Sequence, residues 1–193
     1  MKHSPLTTPE GYLNDNRPDQ PVLFFCPEML HAQARRFQDG FPGLVTYAVK
    51  ANPDPVVLDS LVAAGIDTFD VASPAEMAAV RAAHPGARLH YNNPVRSEAE
   101  IAAARDYGIA SASVDDRAGL EAVAGLGCEI AVRFKLPVAG AAYDFGSKFG
   151  ATPEEAEDLL RRAADLGVPL AMTFHPGTQC PDPAAWESYI AAA

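Results

Sequence analysis

Apolar residues along this chain come in short runs separated by amphipathic stretches. Pro21-Val22-Leu23-Phe24-Phe25 is a run of strand length. From Pro27 to Phe37, the apolar positions Leu30, Ala34 and Phe37 recur at helical spacing behind a proline suited to a first turn. A regular rhythm then sets in. Leu44 to Val49 is β-branched and strand-like, and Pro55 to Ala64 is helical and closed by Gly65. Thr68 to Val71 is the next strand, and Ser73, Pro74 and Glu76 make a capping-box start for a helix. Arg88 to Tyr91 is a strand. A helix opened by Ser97-Glu98-Ala99-Glu100 runs to Tyr107 and stops at Gly108. Ala112 to Val114 is a brief strand, and a helix begins at Asp115 or Asp116. Glu129 to Phe134 is a strand, followed by a helix from Thr152 to Leu166, a strand from Pro169 to Phe174, and a helix from Pro183 onward. Residues 1–20, polar and rich in Pro, Asn and Asp, are expected to form a loose arm.

Strand–helix alternation with helix-capping residues at each start predicts an α/β protein with a parallel sheet and right-handed crossovers. Six such strands follow residue 44. They suit a six-stranded doubly wound sheet and equally the first six strands of a (β/α)8 barrel, and periodicity leaves both open.

In either architecture functional groups gather at the C-terminal strand ends. Those ends offer Lys50, Asp70, Tyr91-Asn92-Asn93-Pro94, Asp115, Arg133 and His175. A lysine in an apolar pocket becomes a nucleophile for carbonyl carbon; a strand-end lysine pointing to solvent is the plain alternative. His175 suits stacking, base chemistry or metal binding, or simply a hydrogen bond to backbone. Gly177-Thr178 behind it allows close approach to a ligand and a hydroxyl for phosphate, or is an ordinary turn. Arg133 inside an apolar strand calls for a partner, with a structural salt bridge to Asp70 or another acid as the bland reading. Asp70 could orient the lysine or the histidine, and Glu76 is accounted for by capping.

Composition narrows the classes. The chain has 193 residues with Lys+Arg 15 and Asp+Glu 25, a net charge of -10. That length is short of the about 250 residues of a finished (β/α)8 barrel. Such acidity argues against nucleic acid as a partner. No apolar run approaches the ~18 residues of a membrane span. Cys26, Cys128 and Cys180 are far apart and show no metal-ligand spacing, so no metal site is expected and a reduced, cytoplasmic protein is. Gly-rich phosphate fingerprints, nucleophile elbows and HExxH helices are absent.

Six segments together carry a resemblance. They are Tyr47-Ala48-Val49-Lys50-Ala51-Asn52-Pro53; Phe69-Asp70-Val71-Ala72-Ser73 with Glu76; Tyr91-Asn92-Asn93-Pro94; Val132-Arg133-Phe134; Ser147-Lys148-Phe149-Gly150; and Phe174-His175-Pro176-Gly177-Thr178-Gln179-Cys180. In this order they resemble the pyridoxal-phosphate (PLP) decarboxylases with an alanine-racemase-like barrel, the ornithine/diaminopimelate/arginine group, over about residues 22–190. The resemblance implies that Lys50 bonds the PLP aldehyde, that His175 stacks on the pyridine ring, that Thr178 touches the phosphate, and that Asp70 and Arg133 line the cofactor site. Pro176 stands where the family usually has an aliphatic residue. Residues 21–193 would then be the first part of a PLP-binding barrel, incomplete at six units. The family's Gly-rich phosphate loop, its acid at the ring nitrogen, its β-domain and its interface cysteine would lie beyond residue 193, and Cys180 does not inherit the last role. The implied activity is decarboxylation of a basic amino acid, foremost ornithine to putrescine in polyamine biosynthesis, in a homodimer, with this chain alone a poor enzyme. Lysine, diaminopimelate or arginine as substrate, a racemase on the same barrel, a PLP carrier or regulator without turnover, and an interaction protein using the open barrel edge are the alternatives.

Overall fold

The computed structural model describes residues 8–137 and 148–193. Eight α-helices and six strands alternate through the described residues. The helices are α1 (Pro9–Asn16), α2 (Pro27–Gly40), α3 (Pro55–Ala63), α4 (Pro74–Ala83), α5 (Glu98–Tyr107), α6 (Arg117–Val123), α7 (Pro153–Ala164) and α8 (Pro183–Ala192). The strands are β1 (Tyr47–Ala48), β2 (Thr68–Val71), β3 (Arg88–Tyr91), β4 (Ser111–Val114), β5 (Glu129–Arg133) and β6 (Leu170–Thr173).

Local chemistry explains the boundaries. Asp54, Ser73, Ser97, Asp116, Thr152 and Asp182 each accept a backbone N–H at a helix start, satisfying a donor the helix cannot. Ser97 with Glu100 and Thr152 with Glu155 form complete capping boxes. Ser73 departs from expectation. Its hydroxyl caps Glu76 N–H, but the Glu76 carboxylate reaches one residue further back and accepts Ala72 N–H at 2.8 Å. Glu76 thus braces the strand-to-helix turn rather than closing a box.

All six strands pair in parallel in chain order, β1-β2-β3-β4-β5-β6. A doubly wound sheet reverses its strand order at a switch point. Among the described strands there is no reversal, and consecutive helices from α2 to α7 pack on one another. The helices therefore share one face of the sheet, which is barrel geometry.

The two sheet faces differ in chemistry because successive residues of a strand point to opposite sides. Phe69, Val71, Leu89, Tyr91, Ala112, Val114, Ile130 and Val132 face the helices and are fully buried. Burial of one such large side chain is worth about 1.5–3 kcal/mol. The alternate positions Asp70, His90 and Ser111 lie in one register row, with Ser113 and Arg133 further along the neighbouring strands. Arg81 ties the helical layer together, donating to Ala87 O at 2.5 Å and to Tyr107 O at 2.7 Å.

Three expectations are corrected. Leu44–Val49 contracts to the two-residue β1, and Val49–Ala51 forms a 3-10 turn that carries Lys50. Pro21–Phe25 is not a strand, and Leu23 is 97% exposed. An apolar run becomes a strand only where a neighbour satisfies its backbone groups, and this one meets no sheet edge. In the stretch expected to be loose, residues 9–16 form α1 with Thr8 as its cap; it buries no residue, and its Tyr12 meets Phe24 edge-on with ring centres 5.7 Å apart.

His90 sits on the concave face with Nδ1 2.7 Å from Ser111 Oγ and a buried, unpartnered Nε2. Burial, reinforced by Arg88, holds its imidazole below the usual pKa. A base depressed on folding stabilises the native state above its unfolded value, and that contribution is lost as pH falls. We therefore expect His90→Gln to flatten the decline in urea midpoint between about pH 7 and 5. An unchanged slope would remove His90 from the acid sensitivity.

Candidate functional site

The strand ends converge on a cavity of about 320 Å³ lined by Lys50, Asp70, Ala72, Asn92, Asn93, Pro94, Ser113, Arg133, Phe149, Thr173, Phe174 and His175. Each group arrives there for a local reason. Lys50 leaves β1 on a turn held from both sides. Val49 before it is fully buried. After it, Asn52 receives Tyr47 Oη–H on its carbonyl at 3.2 Å and Asp54 N–H on its side chain at 3.0 Å. Lys50 itself is exposed.

Asp70 lies near the end of β2. Asn92 Nδ2 donates to its Oδ1 at 2.9 Å, and Ser113 Oγ donates to the Asn92 carbonyl at 3.4 Å. Burial pushes the Asp70 carboxyl up; the Asn92 hydrogen bond, Lys50 and Arg133 pull it back, while Glu76 adds to the rise. An Asp70–Arg133 salt bridge, the bland reading of Arg133, does not form. Among the described residues the ion pairs are Arg117–Glu121, Arg161–Glu157 and Arg162–Asp158, all on exposed helix faces.

Arg133 instead lies over the Phe149 ring, 5.1 Å from its centre. Burial lowers its pKa, opposed by Asp115, Tyr189 and Asp70. The Phe149 segment is braced against β5. Asp115 Oδ2 accepts Gly150 N–H at 2.8 Å, Ala151 N–H donates to Arg133 O, and Lys135 N–H donates to Ala151 O, both at 2.9 Å. Gly150 has φ +101, and a Cβ there would stand 3.0 Å from Lys135 Cβ, so both the backbone angle and the space demand glycine.

Just after β6, Phe174 stacks on Tyr189 of α8 with ring centres 4.6 Å apart and 8° between planes. Tyr189 is itself anchored, its hydroxyl accepting Leu136 N–H at 2.8 Å. This clamp fixes the residue before His175. The His175 Nδ1 accepts Gly177 N–H at 3.0 Å, which leaves any ring proton on Nε2. Partial burial, then Arg133 and Lys50, keep this imidazole below its usual pKa although it is open to solvent on one side.

The structure thus brings Lys50, Asp70, Arg133 and His175 around one cavity. Thr178 is exposed and does not line it. Ser147 lies outside the described residues. Asn92 was among the strand-end candidates but had no role assigned, and Ser113, Phe149 and Thr173 were not expected as site residues. Asn92 had a signal, its strand-end position, whereas Ser113 and Thr173 were hidden because a small hydroxyl in a strand has many plain uses.

A primary amine, an imidazole and an arginine around one cavity can hold an anionic ligand and attack a carbonyl carbon. Residues 28–193 match the family "Pyridoxal-dependent decarboxylase, pyridoxal binding domain". The chain belongs to this family. It is 37% identical over 153 residues to a lysine/ornithine decarboxylase of Selenomonas ruminantium, covering 77% of this chain and 39% of that protein. It is 30% identical over 180 residues to an ornithine decarboxylase of Panagrellus redivivus, covering 91% of this chain and 41% of that one. A solved structure of SrLDC in complex with PLP and cadaverine superposes with a TM-score of 0.79 at 32% identity, over 100% of this chain and 50% of that chain. The chain therefore spans about two-fifths to one half of these relatives. As a pyridoxal-binding decarboxylase domain it carries the first six strands of their barrel.

Because the folded Asp70 carboxyl is raised, its contribution to stability is full below the unfolded value and is lost as pH rises through the folded one. Asp70→Asn, which can still accept from Asn92, should raise the thermal midpoint near neutral pH by about 2–4 °C. The gain should vanish below about pH 4. A gain independent of pH would locate its origin elsewhere.

Proposed function

We propose that this chain is the pyridoxal-binding part of an enzyme that decarboxylates a basic amino acid, foremost ornithine to give putrescine. The observation that carries the reading is the convergence of Lys50, Asp70, Arg133 and His175 on one cavity at the strand ends. PLP, when bound, supplies an electron sink for the carbon that loses carbon dioxide. The chain's own residues do the rest. The Lys50 amine, presented at the mouth, is the nucleophile for the cofactor aldehyde. The His175 ring, fixed by Gly177 N–H behind a clamped Phe174, offers a flat face for the pyridine. Arg133 supplies positive charge beside Phe149. Asp70 is the acid of the set, placed to orient Lys50. Thr178 is assigned to the cofactor phosphate on its place in the segment alone.

The names of the relatives support a diamino-acid substrate: lysine/ornithine decarboxylase, ornithine decarboxylase, and a structure holding cadaverine. A role in polyamine synthesis and a homodimeric, cytoplasmic enzyme belong to the same reading. No helix among the described residues is long and apolar enough to cross a membrane. The sheet ends at β1 and β6 without the two joining, so the described residues leave the barrel open. An open barrel leaves the cavity incompletely walled, which supports slow turnover by the 193-residue chain alone.

Incubation with PLP, borohydride reduction and peptide mapping test the site. A pyridoxyl mass on Lys50 is expected, and its loss in Lys50→Ala. Labelling of other lysines with Lys50 untouched would overturn the reading. Release of carbon dioxide from ornithine at a rate of at least ~1 s⁻¹ by the 193-residue chain would refute slow turnover. A preference for lysine or arginine would overturn ornithine as the substrate.

A further inference from the structure

Asp70 is a carboxylate in an awkward place. Its side chain is partly buried, and it forms no ion pair among the described residues. The charged and titratable groups around it are Lys50 after β1, Glu76 on α4, Arg133 on β5 and, in register beside it on β3, His90. The group within hydrogen-bond distance is a neutral amide, Asn92 Nδ2 at 2.9 Å.

Asn92 is itself rigidly held. The strand β3 precedes it, and its carbonyl accepts from Ser113 Oγ on the adjoining strand at 3.4 Å. Beyond it, Asn93 Oδ1 accepts Val95 N–H at 3.3 Å, and Pro94 is buried with an imposed backbone angle. These contacts fix the backbone that carries the amide, whose Nδ2 donates to Asp70 Oδ1. Its chemistry matters as much as its position. A cation here would neutralise the carboxylate and quench its field across the cavity. An amide N–H stabilises the anion and adds no net charge.

We propose that Asn92 is a positioning residue for Asp70: its amide keeps the carboxylate ionised and aimed across the cavity mouth at Lys50 without an ion pair. The capture of a pyridoxal aldehyde by Lys50 then depends on Asn92, which touches neither reacting atom. This second consequence rests on the pyridoxal reading; the first does not.

Two measurements separate them. In the ligand-free chain, the carboxyl carbon of Asp70 is titrated by NMR in wild type and in Asn92→Leu. The midpoint is expected at higher pH in the variant, and an unchanged midpoint overturns the proposal. Separately, borohydride-trapped pyridoxyl on Lys50 at limiting PLP and neutral pH is expected to fall about tenfold in Asn92→Leu, as for a lost hydrogen bond to a charged group. In an Asp70→Asn background the same substitution is expected to cause no further loss. A purely structural role would lower trapping in both backgrounds and overturn the proposal. If wild type traps no pyridoxyl while the Asp70 midpoint still moves, the cofactor reading falls and the Asn92–Asp70 coupling stands. Should Asn92→Leu fail to fold, Asn92→Ala removes the same donor without bulk and is read in the same way.

Discussion

A parallel sheet covered by helices on one side only must be apolar on that side and is released from that demand on the other. The row Val71, Tyr91, Ala112 and Ile130, with the pairs Phe69–Leu89 and Val114–Val132 on either side of it, meets the first condition, with every member buried. This packing sets the register, since a slip of one residue would exchange the faces. Register in turn decides which side chains reach the concave side. Asp70, Ser113 and Arg133 stand at the mouth because Phe69, Val114 and Val132 are under the helices.

The site inherits costs from that arrangement. Strand ends bring charged groups close together where solvent is reduced. Asp70 is held by an amide, Arg133 by an aromatic ring, and His175 by a backbone N–H. Each partner restrains orientation without cancelling charge. For Asp70 this arrangement has a cost, since burial raises its carboxyl and opposes its ionised form.

Rigidity is supplied from outside the cavity. Tyr189 of α8 clamps Phe174 and is tethered to Leu136; Asp115 holds Gly150, and Glu76 holds the turn after β2. None of these contacts is local in sequence except that of Glu76. Such braces are what allow loops and strand ends to present side chains in fixed positions.

How much was legible follows from which forces are local. The strands Thr68–Val71 and Arg88–Tyr91 and the helix capped by Ser97 were readable to the residue, because alternation and capping act over a few positions. Lys50, Asp70, Arg133 and His175 were readable as candidates, because an ionisable residue at a strand end is rare unless it is used. Other features were not readable. Pro21–Phe25 has a strand's composition but no neighbour to pair with, and Glu76 turned to Ala72 N–H over the cap. Thr178 sits in the right segment yet lies off the cavity, and the doubly wound and barrel alternatives were equal until strand order was known. The sequence by itself determined the elements, their alternation and the chemistry available at the strand ends. Tertiary structure alone decided the order of the strands and the partners of Asp70, Arg133 and His175. Those depend on which distant backbone groups meet, and no local pattern encodes that.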